Sequence, residues 1–375
     1  MKIGFDAKRV FHNRTGLGNY SRDLIRILGK YYPGHTYHLY TPKPSRTQLF
    51  DAAGHGAIEK LPEGKFYSTF YNIWRQYGIC TTLKKDDIDV FHGLTAELPI
   101  NILKTGIPSV VTIHDLIFIR YPDFYPVIDR WIYRQKARNA AVVAHKVVAI
   151  SEQTRQDLIH FLKIDPDKIQ VIYQGCQQVF QQPIEKNQRK QLISRFNLPE
   201  NYILNVGTIE KRKNLLSLVK AIQHLDTHLV VLGSETPYAT EVKDYIAKHR
   251  MLAKVTFLKG LASQELAALY QSAQVFVYPS FFEGFGIPIV EALFSGTPVI
   301  TTQGGCFGEA GGPGSMYVNS TDVGALQAAI AEVLQNEELR TRMRKTGLDY
   351  AQRFTDEKIG KAYMELYASL SKEKS

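Results

Sequence analysis

Short apolar runs recur along the chain between longer stretches of helical periodicity, and each run has the two-sided apolar character of a strand covered on both faces. In the first half they are "KIGFD" (2–6), "TYHLY" (36–40), "IDVFH" (88–92), "SVVTIH" (109–114) and "KVVAIS" (146–151). The second half repeats the habit with "YILNVG" (202–207), "HLVVLG" (228–233), "KVTFLK" (254–259), "QVFVYP" (274–279) and "TPVITT" (297–302). The pattern predicts an α/β chain of two doubly wound, Rossmann-like domains with parallel sheets. The polar stretch "QQPIEKNQRKQ" (181–191) separates the two series. It sets the expected domains at residues 1–182 and 183–355. A last helix from Asp356 to about Leu370 carries Ile359, Tyr363, Leu366 and Leu370 at helical spacing, so residues 356–375 are expected to pack back onto the first domain.

Composition narrows the class. The 375 residues, 44% of them hydrophobic, are enough for two cores of ordinary size. Lys and Arg number 46 against 36 Asp and Glu, and the net charge of +10 suits a polyanion, an anionic membrane surface or a phosphorylated ligand without choosing among them. Cys80, Cys176 and Cys306 are far apart, with no CxxC spacing, which argues against a zinc site or a disulfide framework and for a reducing cytoplasm. The opening "KIGFDA" reads as a strand, not a signal peptide. No apolar run approaches the roughly 20 residues that span a bilayer, since "AAVVAHKVVAI" is broken by His145 and Lys146. Any membrane contact is therefore expected to be peripheral. Arg130, Arg134, Lys136 and Arg138, with Trp131 and Tyr133, read either as an interfacial helix or as an ordinary solvated helix whose aromatics face the core.

In open α/β sheets, ligands bind at the carboxyl ends of the strands, so the loops there are the place to look for chemistry. "SFFEGFGIPIVEALFSG" (280–296) sets Glu283 and Glu291 around a glycine-rich turn. The glycines and Pro288 predict a helix starting near Ile287. The amides of Phe285 and Gly286, at the positive end of that helix, form a seat for phosphate, and the two carboxylates accept hydrogen bonds from hydroxyl groups. The implied ligand carries phosphates and sugar hydroxyls, as a nucleotide sugar does. Taken alone, the string fits equally well a plain turn with Glu291 in solvent. "NVGTIEKRKNL" (205–215) follows the first strand of the second domain and places Lys211, Arg212 and Lys213 before a helix near Asn214, where cations can neutralise a departing diphosphate. A basic triplet by itself is more often a solvated face, but this one stands at a strand's carboxyl end. "TIHDL" ends a strand on His114 and Asp115, although a lone histidine is more often structural. In "HNRTGLGNY" (12–20), Gly16 and Gly18 stand at a helix start and would let backbone approach phosphate.

Two motifs mislead. "GLGNYS" imitates a dinucleotide signature, but Ser21 replaces its third glycine and "TYHLYT" ends without an acidic residue, which argues against a nicotinamide enzyme. "DDID" (86–89) imitates a metal-binding carboxylate pair, yet it precedes its strand and so lies at the wrong end for catalysis. No metal site is expected.

Taken in order, "FDAKRVFHNRTGLGNYSRDL", "DVFHG", "VTIHDL", "AISEQTRQDL", "VGTIEKRKNL", "GLASQELAALYQSAQVFVYPSFFEGFGIPIVEALFSGTPVITT" and "RFTDEKIGKAY" resemble the group 1 retaining glycosyltransferases, which have the GT-B fold. The resemblance implies that Glu283 contacts the transferred sugar, Glu291 the ribose, and the amides of Gly284, Phe285, Gly286 and Ile287 the sugar and phosphate. It implies that Arg212 and Lys213 grip the diphosphate, that Gly16 approaches it, that His114 lies near the reacting sugar, and that the base lies near Gly233. Thr208 stands where many relatives have arginine, a feature shared with a mannosyltransferase-rich subgroup; Lys211 replaces that subgroup's proline, and Gln174 a common asparagine. The function so implied is metal- and cofactor-independent transfer of a hexosyl group with retention, mannose from GDP-mannose first. The acceptor is a glycan or lipid-linked glycan in envelope polysaccharide synthesis, with no nucleic acid partner. The place is the cytoplasm, including the inner face of an anionic membrane. A nucleotide-sugar epimerase of the same fold and a non-catalytic nucleotide-sugar binder are the alternatives.

Overall fold

The structure, a computed structural model, describes residues 1–44 and 49–372. Contacts divide the chain into two compact units, one of Met1–Gln174 together with the carboxy-terminal helix from Asp356, the other of Gly175–Thr355.

Among its described residues the first unit has seven parallel strands: β1 (Lys2–Asp6), β2 (Thr36–Tyr40), β3 (Ala57–Lys60), β4 (Val90–Gly93), β5 (Ser109–Ile113), β6 (Lys146–Ala149) and β7 (Ile169–Val171). They lie in the order β3-β2-β1-β4-β5-β6-β7, so the winding reverses between β1 and β4. The second unit has six parallel strands: β8 (Ile203–Val206), β9 (Leu229–Leu232), β10 (Val255–Leu258), β11 (Val275–Tyr278), β12 (Val299–Thr302) and β13 (Met316–Val318). Their order is β10-β9-β8-β11-β12-β13, with the reversal between β8 and β11. At each reversal the flanking connections leave on opposite faces and a crevice opens at the strands' carboxyl ends.

All ten apolar runs become strands. The three strands that the pattern misses, β3, β7 and β13, are each at the edge of a sheet. β3 exposes Ile58 and Glu59, while β7 and β13 each keep two of three residues only partly buried. An edge strand needs apolar residues only where helices cover it, so its sequence loses the continuous apolar run.

The boundary between the units falls before residue 182. Residues 175–182 belong to the second unit because Phe180 is buried edge-on against Tyr270, and the Gln271 side-chain nitrogen donates to the Gln182 carbonyl at 2.9 Å. The helix Asp356–Lys372 belongs to the first unit. Ile359, Tyr363, Leu366 and Leu370 enter the core around Phe5, Ile27 and Leu28. Arg26 meets the Asp356 carboxylate at 2.8 Å, and the Tyr363 hydroxyl meets that of Tyr20 at 2.6 Å. Residues 373–375 of the expected terminal segment lie outside the described residues.

Candidate functional site

At the carboxyl ends of β8 and β11, across the second sheet's reversal, three charged side chains converge. The loop after β8 turns through a short 3-10 stretch, Lys211–Lys213, and Asn214 follows it in left-handed backbone (φ 56°). Asn214 is held there because its amide nitrogen donates to the carbonyls of Pro279 and Ser320, at 3.2 and 2.8 Å. The turn thereby points Arg212 and Lys213 at the loop after β11. Lys213 Nζ lies 2.5 Å from Glu283 Oε1, and an Arg212 guanidinium nitrogen 2.8 Å from Glu283 Oε2. Arg212 also donates to the Phe282 carbonyl at 2.7 Å and pairs with Glu210 at 2.5 Å.

All three side chains are largely buried, with exposures of 16% for Arg212, 15% for Lys213 and 11% for Glu283. Burial would raise the Glu283 carboxyl, but the Lys213 and Arg212 cations outweigh it and hold the group down at about 2. Burial likewise opposes the charge on Arg212, and Glu283 and Glu210 more than restore it. Glu283 and Arg212 are therefore ionised at neutral pH, while burial pulls the Lys213 ammonium below its ordinary value and Glu283 works against that pull.

Beyond Glu283, the chain passes Gly284 and Phe285 and enters the helix Ile287–Phe294 through Gly286, whose φ of 107° admits little but glycine. Pro288 occupies the first turn, and no side chain caps the start. The backbone dipole at this end is positive. Gly284, Phe285 and Gly286 are buried, and Ile287 is half-buried. Glu291 lies within the helix and accepts a hydrogen bond from the Tyr270 hydroxyl at 3.0 Å, so it is anchored rather than a loose solvent group. Thr208 is exposed in the loop that carries Arg212. Gly233 has a packing reason of its own: a Cβ there would stand 1.9 Å from the Gly207 carbonyl oxygen.

Two residues of the cluster are missed by sequence reasoning. Tyr278, the last residue of β11, donates to Glu283 Oε1 at 3.0 Å, and the Lys213 ammonium lies 4.8 Å from its ring centre. Glu210 shares Arg212. The strand-end rule would have reached Tyr278; Glu210 carries no local signal.

The other predicted residues are in the first unit. His114 follows β5. Its Nε2 is 3.0 Å from the Leu94 carbonyl, which can only accept, so Nε2 carries the proton. Its Nδ1, 3.0 Å from the Gln174 side-chain nitrogen, must then accept. Burial, opposed by the Leu94 bond, pushes this imidazole down to about 4, so it is neutral at pH 7, and both nitrogens are bound to protein. Gly16 opens the helix Gly16–Tyr31 and is exposed, with nothing within 4 Å of where a Cβ would stand. Gly18 differs. Its amide is bonded to Asn13 Oδ1 (3.1 Å) and the Thr15 carbonyl (2.9 Å), and a Cβ would meet the Asn13 carbonyl oxygen at 2.0 Å. That glycine clears its own loop, and its amide is not left over for a phosphate.

The "DDID" carboxylates serve the fold: Asp86 binds Tyr40 (2.7 Å) and Lys60 (3.0 Å), and Asp89 accepts the Lys2 amide (2.8 Å). Among the described residues no cluster of three or more His, Cys, Asp or Glu side chains is arranged as metal ligands. No described helix is long and apolar enough to cross a membrane. On the basic helix Val127–Val143, Trp131 is 63% exposed, which excludes the reading that buries it in the core.

Comparison with known proteins bears on the fold and on the kind of protein this is. Residues 186–349 match the family described as glycosyl transferases group 1, and residues 14–177 match glycosyltransferase family 4. O-antigen chain mannosyltransferase B of Escherichia coli is 25% identical over 372 residues, 95% of this chain and 96% of that protein. O-antigen chain mannosyltransferase RfbU of Salmonella typhimurium is 31% identical over 229 residues, 60% of this chain and 61% of that protein. In three dimensions, HepE from Anabaena, solved in complex with UDP and glucose, superposes with a TM-score of 0.76 at 18% identity, over 98% of this chain and all of that one. Its second unit matched by the group 1 description, its first by that of glycosyltransferase family 4, and both folded as the Rossmann-like units of the GT-B kind, the chain is a glycosyltransferase.

Proposed function

We propose that this glycosyltransferase moves a mannosyl group from GDP-mannose, with retained configuration, to a glycan or lipid-linked glycan acceptor. The observation that carries the reading is the shared carboxylate. Arg212 and Lys213 stand beside a helix start at a sheet reversal and share Glu283, with Glu210 a second partner of Arg212. A diphosphate entering there competes with Glu283 for both cations, and the displaced carboxylate is then placed to accept a sugar hydroxyl. As the glycosidic bond breaks, negative charge grows on the leaving diphosphate, where two preset cations stabilise it at little reorganisation cost. Glu291 takes the ribose. His114, neutral and bound at both nitrogens, is a fixed polar group rather than a proton carrier. No metal or cofactor is part of this scheme. The mannose assignment rests on the O-antigen mannosyltransferase relatives. Peripheral contact with an anionic membrane fits the exposed, basic, aromatic-bearing helix Val127–Val143.

The test is a thermal-shift panel of nucleoside diphosphates and their sugars, since a ligand that binds only the folded state raises its melting temperature. GDP and GDP-mannose are expected to give the largest shifts, Lys213→Ala to abolish them, and Glu291→Ala to shrink them. A panel in which no nucleoside diphosphate moves the wild-type midpoint ends the proposal. Incubating donor with and without acceptor separates transfer from epimerisation.

A further inference from the structure

The Tyr278 hydroxyl stands between the two charges of the site that lie closest together. As an ammonium, Lys213 has only protons to give, so its bond to the Tyr278 oxygen uses that oxygen as the acceptor. The single phenolic proton is then committed to Glu283 Oε1, 3.0 Å away. Burial holds the phenol well above its ordinary pKa, so the proton stays on the oxygen at neutral pH.

The ring that carries this hydroxyl is fixed. Tyr278 is buried, stacks on Phe276 with ring centres 5.6 Å apart, and meets Phe307 edge-on at 6.5 Å. Its carbonyl accepts from the Thr301 hydroxyl at 2.8 Å. The main chain around Glu283 is held as well: the Phe281 amide donates to the Arg212 carbonyl at 2.9 Å, and the Cys306 thiol to the Glu283 carbonyl at 3.1 Å. What is left to change partners is the carboxylate.

Among the described residues, the donors to that carboxylate are Lys213, Arg212 and the Tyr278 hydroxyl. A diphosphate draws on the two cations and leaves the neutral phenol alone. Withdrawal of both cations leaves a buried carboxylate with one protein donor, and a buried charge without any is costly. Lys213 has no need to quit the phenol, since an ammonium carries three protons.

We propose that Tyr278 is a positioning residue: its hydroxyl keeps hold of Glu283 while a diphosphate engages Lys213 and Arg212, and so fixes the carboxylate for the sugar hydroxyl. The inference rests on the donor-site reading above and adds the group that lets Glu283 exchange cations for a hydroxyl without losing its place. A tyrosine that served only as packing would act through its ring, which phenylalanine also supplies.

Tyr278→Phe removes the hydroxyl and keeps the ring, with its stacking and its face toward Lys213. Release of GDP from GDP-mannose, with water as the acceptor, should fall about tenfold or more in kcat while KM changes less than about threefold. Calorimetric binding of inorganic pyrophosphate should stay within about threefold of wild type, because both cations remain. In a Glu283→Ala background the same substitution should have little further effect on kcat, since the group it acts through is gone. One measurement needs no sugar. In the pyrophosphate complex, the isotope-labelled Glu283 carboxyl, followed by NMR, should titrate about one pH unit higher in Tyr278→Phe than in wild type, because a donor to its charged form is lost. Lys213 and Arg212, with Glu210 behind Arg212, face the carboxyl in both proteins and drop out of that difference. Unchanged kcat, an unmoved carboxyl, or losses that multiply in the double variant each overturn the inference and leave the donor site standing. Loss of pyrophosphate binding in Tyr278→Phe overturns it too, since that is the mark of a merely structural tyrosine. A wild type that binds pyrophosphate without releasing GDP removes the GDP-mannose assignment, and the carboxyl titration then decides the inference. A wild type that binds no pyrophosphate removes both.

Discussion

Glu283→Gln isolates the charge of the shared carboxylate while keeping its shape. A carboxyl held at about 2 instead of its ordinary 4.5 contributes about 3 kcal/mol to folding, at 1.36 kcal/mol per pH unit. Because the folded-state value is depressed, that contribution is fully present above pH 4.5 and is lost as the pH falls through about 2. The wild-type advantage over Glu283→Gln should therefore shrink by about 3 kcal/mol between pH 5 and pH 2. At neutral pH the variant leaves Lys213 and Arg212 buried with Glu210 as their nearest counter-charge, which costs about 3–5 kcal/mol for a broken buried pair. Both tryptophans, Trp74 and Trp131, belong to the first unit and do not report on this one. The assay is urea unfolding read by hydrogen-exchange mass spectrometry of peptides spanning 275–302, in both proteins, across that pH range. A second arm follows from the same charge: without the competing carboxylate, inorganic pyrophosphate should bind the variant about tenfold more tightly even as sugar transfer falls. Stability curves that stay parallel with pH, together with unchanged pyrophosphate affinity, would refute the shared-carboxylate account.

Gln174→Glu replaces the amide that donates to His114 Nδ1 by a carboxylate, and an adjacent opposite charge should lift that imidazole from about 4 by about 1–3 pH units. The histidine NMR titration measures this, and the variant should acquire a pH-dependent transfer rate between pH 5 and 7 that the wild type lacks; an unmoved titration contradicts the assigned tautomer. Gly233→Ala pushes a methyl to 1.9 Å from the Gly207 carbonyl oxygen and should destabilise the second unit by about 1–3 kcal/mol or more, read as a fall in its unfolding midpoint. Its nucleotide affinity, measured well below that midpoint, should change less than that of Lys213→Ala.

Ten of the thirteen strands among the described residues, the carboxy-terminal helix and the loops that hold the candidate site follow from the chain alone, because a parallel strand covered on both faces needs an unbroken apolar run and a helix start needs its glycine and proline. The edge strands do not, since half-covered backbone makes weaker demands on residue type. Glu283, Arg212 and Lys213 could each be nominated from their positions after strands. That one carboxylate serves both cations, with Tyr278 as a further partner, depends on β8 and β11 lying side by side although β9 and β10 intervene in sequence. Likewise Gln174 seemed only a departure from a common asparagine until β5 and the chain beyond β7 brought it to His114. Local pattern encodes burial and turns, which are properties of neighbours along the chain. Charge pairing and tautomer are properties of neighbours in space, and only the strand order supplies those.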